Sequence, residues 1–500
     1  MILGIDNLLY LAAILFLPLL GSLLLVVVPQ RAAKGVALLF SGLLLLLAAG
    51  LVYEVGGGGL RAGGLAWYEP LGLRFALKAD ALNLWLVALT AILLLIAVLA
   101  PIPSLPPASK GGDSPHAKLY YGSMLALAAG MLGVFLSDSI FLFYIFWEAM
   151  LIPAYLLVSR FAGPRAGQIA LRFLIYTIGG GLLMLTGLIG LGAAAASAGL
   201  GFNPDAIFSG LRLGAEAQGF VFAAVVAGVM VKIPLFPFHS WLPDVYGESP
   251  APVVVLIAGV MSKTGIYALL RYGVMMLPEG ARGWQPLIAG MAVGSILYGA
   301  LNALGATSLQ RLVAYISLSH MGFLALGAIS MTADGMSGAI LQSFNHGIII
   351  AAMFLIAGMM QQRAGSTALA AFGGWGKRLP VFATLFLLFS LATLGLPGLS
   401  GFSGEFMIML GAYRYQPLYA ILALVGVVLA AWYAVRLYQS VMHGPDAPPL
   451  SSAHPGSAGL ADAQRAELLV LLPLLLLIVL VGVAPWLLTN SIVTLFVGGR

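Results

Sequence analysis

The sequence predicts an all-α polytopic membrane protein, and three observations carry that prediction. Of 500 residues, 61% are hydrophobic and only 8% charged, whereas about a quarter of residues are charged in soluble domains. Apolar runs of about 20 residues recur along the whole chain, and that is the length of a helix that crosses a hydrocarbon core. Two of the runs are broken by proline or glycine and carry charge near the break. Lipid tolerates such breaks only where protein or internal water satisfies the released backbone groups.

Hydropathy places about fourteen spans, at 8–28, 34–53, 79–100, 117–136, 138–160, 168–198, 219–241, 250–277, 284–305, 308–330, 336–361, 379–413, 416–441 and 465–488. The sixth and twelfth are too long for one straight crossing, so tilt or a break is expected. Residues Met1–Leu20 include Asp6 and no basic n-region, which predicts a retained first helix. The connections 54–78, 199–218 and 442–464 read as loops. So do the Gly56–Gly59 run, the Pro101–Pro107 tract and the prolines Pro445, Pro448 and Pro449. None of them is long enough to bury a separate core.

Loop charge orients the spans. Loops after odd-numbered spans hold Arg31, Lys34, Lys110, Lys118, Arg160, Arg165, Arg311, Arg363, Lys377, Arg378 and Arg465. The other face holds fewer: Arg61, Arg74, Lys78, Arg212, Arg282, Arg414 and Arg500. The positive-inside rule then puts both termini on the outer side. The net charge of +6 is the sum of such loops and asks for no nucleic-acid partner.

The spans group as an N-terminal three-helix segment (1–116), two five-helix units (117–277 and 284–441) and a C-terminal loop with the last helix (442–500). An odd number of helices per unit inverts the second copy. The fourth helix of each unit is the broken one, at Pro234 and Pro237 in the seventh span and at 396–401 in the twelfth. Matched breaks point to a site in the middle of the membrane.

Titratable residues inside the spans are few. Among the acids only Glu148 and Glu405 lie well inside, with Asp80 and Asp138 at helix starts. Among the bases Lys232 and Lys263 are interior, while Arg172, Arg271 and Arg436 lie near ends from which an arginine can snorkel. His320 and His346 are interior, and His239 borders the first break. Lys232 and Lys263 sit equally far into consecutive spans, each about 20 Å from opposite faces of a core about 30 Å thick. Glu148, His320 and His346 fall at similar depth. Burial disfavours the charged form of both lysine and glutamate, and a nearby opposite charge restores it. Moving Glu148 relative to Lys232 would therefore switch the lysine between holding and releasing a proton. Histidine suits a relay because its ordinary pKa is near 6.5.

Each residue also has a plainer reading: Glu148 and Lys232 as a structural ion pair, a lone histidine as a helix–helix hydrogen bond, Trp241 as an interfacial anchor, and the break at 397–401 as a kink. The combination of two acids, two lysines and three histidines beside two broken helices favours proton transfer. The absence of cysteine excludes cysteine-held iron–sulfur clusters and zinc–thiolate sites, and no phosphate-binding loop follows a strand pattern.

The motifs at these positions resemble the antiporter-like subunits of respiratory complex I. They are F-Y-I-F-W-E-A-M-L-I-P around Glu148, K-I-P-L-F-P-F-H-S-W-L-P-D around Lys232, S-K-T-G-I-Y-A-L-L-R-Y around Lys263, Y-I-S-L-S-H-M-G-F around His320 and G-F-S-G-E-F around Glu405. Together they cover spans four to thirteen. The resemblance is closest to the M-type branch, the counterpart of mitochondrial subunit 4. Glu405 stands where the L- and N-types generally place lysine, and the long lateral helix of the L-type is missing. The resemblance implies a proton channel in the bacterial inner membrane, driven by remote quinone chemistry and holding no cofactor of its own; NADH, flavin, iron–sulfur clusters and quinone would belong to the rest of the complex. It implies the related L- and N-type subunits as partners. It also implies Glu148 and Lys232 as the coupling pair, Lys263 with His239, His320 and His346 as the relay, and Glu405 as the exit. Subunits of multisubunit sodium/proton antiporters and of membrane-bound hydrogenases are built from the same family and stand as the alternative. A stand-alone solute transporter would need a polar substrate cluster that the sequence does not display.

Overall fold

A computed structural model describes residues 7–56, 61–68, 73–101, 116–200, 202, 207, 210, 211, 213–444 and 461–497. Most of the Pro101–Pro107 tract, part of the glycine run and the proline-rich 445–460 stretch lie outside the described residues, as do both chain ends.

Among the described residues twelve helices are long and apolar enough to cross a membrane: Asn7–Val27, Gln30–Val55, Ala117–Leu136, Ile140–Phe161, Ala166–Ser197, Ala215–Lys232, Ala251–Val274, Pro278–Gly305, Leu309–Ile329, Ala333–Ala364, Pro417–His443 and Arg465–Val483. The third and twelfth expected spans are met by shorter helices, Leu84–Leu99 and Pro380–Thr393, the latter followed by Ser400–Tyr415. The long sixth helix runs through Ala166–Ser197 without a break. The fifth, by contrast, is interrupted at Met150, ahead of Pro153. A further helix, Trp486–Val497, follows the last expected span and had no counterpart in the hydropathy reading.

Two helices lie at the centre. Ala251–Val274 and Ala333–Ala364 are buried along their whole apolar windows, whereas Asn7–Val27 and Pro417–His443 are largely exposed. A helix hydrophobic all round is a core helix, and these two carry Lys263 and His346.

The connection 54–78 is not a plain loop. It forms an antiparallel hairpin, β1 (Arg61–Tyr68) paired with β2 (Leu73–Ala79). Valine and isoleucine are absent from these strands, so propensity gave no strand signal; docking supplies the order instead. Leu77 bridges Ser137, and Asp138 N–H donates to Ala76 O at 2.8 Å. Asn83 locks the corner, its Nδ2 donating to Lys78 O (2.9 Å) and Phe135 O (2.7 Å). Arg271 is also corrected. It does not snorkel: it is 5% exposed and its Nη1 meets Asp80 Oδ2 at 2.7 Å.

At one end of the bundle Arg363 grips Glu467 with two contacts, 2.6 and 2.7 Å, and so ties Ala333–Ala364 to Arg465–Val483. Beside it Asp462 accepts from the N–H groups of Val381 and Phe382, both at 3.0 Å, and of Ala463 at 2.7 Å. Burial alone would raise the Asp462 carboxyl, but these donors and the Arg363 charge hold it below the ordinary carboxylate value. Its contribution is therefore complete above pH about 4 and is lost as pH falls through the depressed value. Hydrogen exchange at Val381 and Phe382, corrected for intrinsic rate, should lose protection only below pH about 4. Loss near neutral pH would mean that another group holds this helix start.

Candidate functional site

The first group assembles where the seventh span breaks. Lys232 is the last residue of Ala215–Lys232, and the chain then turns irregularly to the short helix Leu242–Glu248. Proline leaves backbone groups without helical partners here, and side chains from elsewhere meet them. Trp241 Nε1 donates to Val231 O at 3.1 Å, and Phe236 N–H donates to Ser295 Oγ at 2.8 Å. Trp241 is thus no interfacial anchor; it is 2% exposed and caps the broken helix from within.

Lys232, 2% exposed, holds its Nζ 4.5 Å from the centre of the Trp147 ring, a cation–π distance. Glu148 is the next residue along and half-buried, close enough for its charge and that of Lys232 to act on one another. The two do not touch: neither Glu148 Oε1 nor Lys232 Nζ has a hydrogen-bond partner. Gly181 makes room for the carboxylate, since a Cβ there would strike Glu148 Oε1. Gly180 beside it lets Ala166–Ser197 approach Gly228 and Val231. The expected coupling pair is therefore placed in electrostatic reach, with the Trp147 ring against the ammonium.

The second group lies on the central helices. Lys263, fully buried, sits in Ser262–Ala268 between two π-helical turns, Ile257–Met261 and Leu269–Val274. The helix is thus irregular on both sides of the lysine. Its Nζ donates to Ala258 O and lies 3.4 Å from Ser262 Oγ. The charge of Lys263 acts on His346 of the neighbouring central helix. The His346 ring stacks on that of His320, centroids 5.5 Å apart. His320 Nδ1 lies 3.0 Å from Glu405 Oε1. The approach is close, but Nδ1 makes no hydrogen bond in it. Tyr433 Oη is 3.4 Å from His320 Nε2.

Glu405 is held from two sides. Gln342 Nε2 donates to its Oε1 at 3.0 Å, and Asn345 Nδ2 donates to Ser400 O, 2.6 Å away in the first turn of the Glu405 helix. The break before that helix runs from Leu394 to Leu399, with Gly395 at φ +74° and Gly398 at +92°. Gly395 is required twice over: its φ is left-handed, and a Cβ there would come within 2.7 Å of Glu405 Oε2.

Of the seven residues the sequence singled out, the structure gathers Lys263, His320, His346 and Glu405 into one chain and sets Glu148 beside Lys232. His239 stands apart from both. It is buried between Phe236 and Tyr298, ring centroids 5.6 and 4.6 Å away. Among the described residues no hydrogen bond or ion pair joins Lys232 to Lys263. Gln342, Asn345 and Tyr433 were missed. Gln342 did leave a signal, because it precedes His346 by one helical turn on the same face of an apolar helix.

Fold and site together define a class: a polytopic helical membrane subunit whose two most enclosed helices carry a buried lysine and a buried histidine, beside a third helix whose histidine lies against a glutamate on a broken helix. The chain belongs to the NADH:quinone oxidoreductase/Mrp antiporter transmembrane family, whose model matches residues 137–430. It is similar to NADH-quinone oxidoreductase subunit M of Mycobacterium tuberculosis, with 34% identity over 96% of this chain and 92% of that protein. Among solved structures it is similar to a chain of respiratory complex I from Thermus thermophilus. There the identity is 30%, the coverage 97% of this chain and 98% of the other, and the TM-score 0.85. A chain of the Mrp complex from Dietzia sp. shares the fold at 20% identity, with 98% and 96% coverage and a TM-score of 0.82.

Proposed function

We propose that this chain is a proton-translocating membrane-arm subunit of an NADH:quinone oxidoreductase, of the M type. The observation that carries the reading is the contact of His320 with Glu405 at 3.0 Å, continued through His346 toward Lys263 on the two helices most shielded from lipid. Ionisable groups in a membrane interior cost energy and are kept for transport of charge. In this reading Lys232 loads and releases a proton as Glu148 shifts against it, and Lys263, His346 and His320 pass it along, with water bridging the gaps. Glu405 then delivers it to the outside or to a neighbouring subunit. His239 would serve the entry to Lys232 rather than the central row. The chain holds no redox centre of its own, and quinone reduction elsewhere supplies the energy. Related L- and N-type subunits flank it, the two five-helix units (117–277 and 284–441) form its inverted halves, and both termini face outward from the bacterial inner membrane.

The test is proton uptake coupled to quinone reduction in the assembled complex. Glu148→Ala and Lys232→Ala should each abolish most coupled translocation, and full pumping in both variants would reject the coupling role. A sodium/proton antiporter subunit, the alternative, would instead show sodium-dependent exchange with no quinone substrate.

A further inference from the structure

Two joined cavities lie away from the titratable row, between Pro380–Thr393 and Pro417–His443. The outer one, about 460 Å³, is lined at its mouth by Lys377, His443, Gly374 and Gly376. The inner one, about 200 Å³, shares Leu387, Tyr438 and His443 with it and continues past Leu391 to Leu394. Leu387, Leu391 and Leu394 follow the helical spacing of i, i+4 and i+7, so they form one apolar stripe. From Pro380 to Leu394 the groove descends about 20 Å, well into a core about 30 Å thick.

Charge and shape together select the occupant. Among the described residues Lys377 is exposed and makes no ion pair, and no carboxylate lines either cavity. Asp462, at the start of the same helix, is committed to the N–H groups of Val381 and Phe382. The mouth is therefore positive, while the deeper lining is mostly aliphatic or aromatic, with Ser390 and Gln439 as its polar members. Val381 and Val435, on the two flanking helices, are about half exposed, which leaves the groove open sideways to lipid. The residues that follow, 445–460, are chiefly proline, serine, glycine and alanine, with Leu450 and Leu460 as their only large apolar side chains. We infer that the groove binds one anionic phospholipid, its phosphate at Lys377 and His443 and an acyl chain along Leu387, Leu391 and Leu394. The site sits at the loop after the eleventh span, on the face predicted to be cytoplasmic, where the leaflet is anionic and a basic side chain attracts it.

The experiment uses the whole complex in nanodiscs with a phosphatidylglycerol probe that carries a photoreactive diazirine on its acyl chain. Label should map to residues 387–394 and 434–438. Unlabelled phosphatidylglycerol should compete about fivefold better than phosphatidylcholine, the worth of one basic side chain near the surface. Lys377→Gln should erase that preference while leaving the labelled positions unchanged. Leu391→Trp, which fills the tail channel but keeps the mouth, should remove the label from 387–394. Three results would each overturn the inference: equal competition by both lipids, labelling indifferent to Lys377→Gln, or crosslinks from this groove to residues 445–460 or a neighbouring subunit.

Discussion

Replacing Arg271 with alanine should cost about 3–5 kcal/mol and sharply reduce the amount of assembled protein. Arg271 and Asp80 have side chains only 6% and 10% exposed, and they meet at 2.7 Å. Removing the guanidinium leaves a carboxylate buried with Lys78 at 3.8 Å and the Leu82 N–H at 3.0 Å. Neither replaces a close guanidinium contact, and an uncompensated buried charge is far more expensive than the net value of the pair. Against a total stability of about 5–15 kcal/mol for a typical domain, that loss is large. The consequence is also directional, because Arg271 lies in the π-turn Leu269–Val274 two helical turns beyond Lys263. Losing Asp80 as an anchor frees that end of the central helix from the β-hairpin. The control is Arg282→Ala, which breaks an exposed pair with Glu279 (62% and 49% exposed) and should cost about 1 kcal/mol at most. Thermal unfolding of the purified variants gives the comparison. Equal midpoints for the two would mean that Asp80 has another neutralising partner.

The same residues show what a sequence can and cannot convey. Burial around His346, His320 and Glu405 was legible because a titratable side chain inside an apolar run has few places to go, and the run itself fixes its depth. The break before Glu405 was legible through its glycines and proline. What hydropathy could not convey is which helices are central: Ala251–Val274 and Ala333–Ala364 score lower than Asn7–Val27 and Arg465–Val483, yet they are the ones enclosed on all sides. Arg271 was misjudged for that reason, since a position near a helix end implies snorkelling only if the end meets water. The hairpin escaped notice because Arg61–Tyr68 and Leu73–Ala79 have little strand propensity and are ordered by what they dock against. The π-turns around Lys263 escape a reading of periodicity; in the first of them Gly259 packs against Leu93 and the backbone of Gly347. That Lys232 Nζ lies over the Trp147 ring rather than on the Glu148 carboxylate is likewise a matter of rotamers, which no periodicity conveys.

Glu405→Gln should leave assembly intact and reduce coupled proton translocation about tenfold or more, within the range for losing a positioned proton-transfer group. Glutamine keeps the volume of the side chain and can still accept from Gln342, which now donates to Glu405 Oε1 at 3.0 Å. The Asn345–Ser400 contact that seats the helix is untouched. What it removes is a carboxylate able to take up a proton, 3.0 Å from His320 Nδ1. A role that is merely structural would survive this exchange, so unaltered pumping in Glu405→Gln would end the proton-exit assignment. Glu405→Lys separates two further possibilities. Lysine restores a titratable group but reverses the charge facing His320. Partial recovery over Glu405→Gln would show that the step needs a group able to exchange protons at this position. No recovery would show that it needs the negative charge just as much.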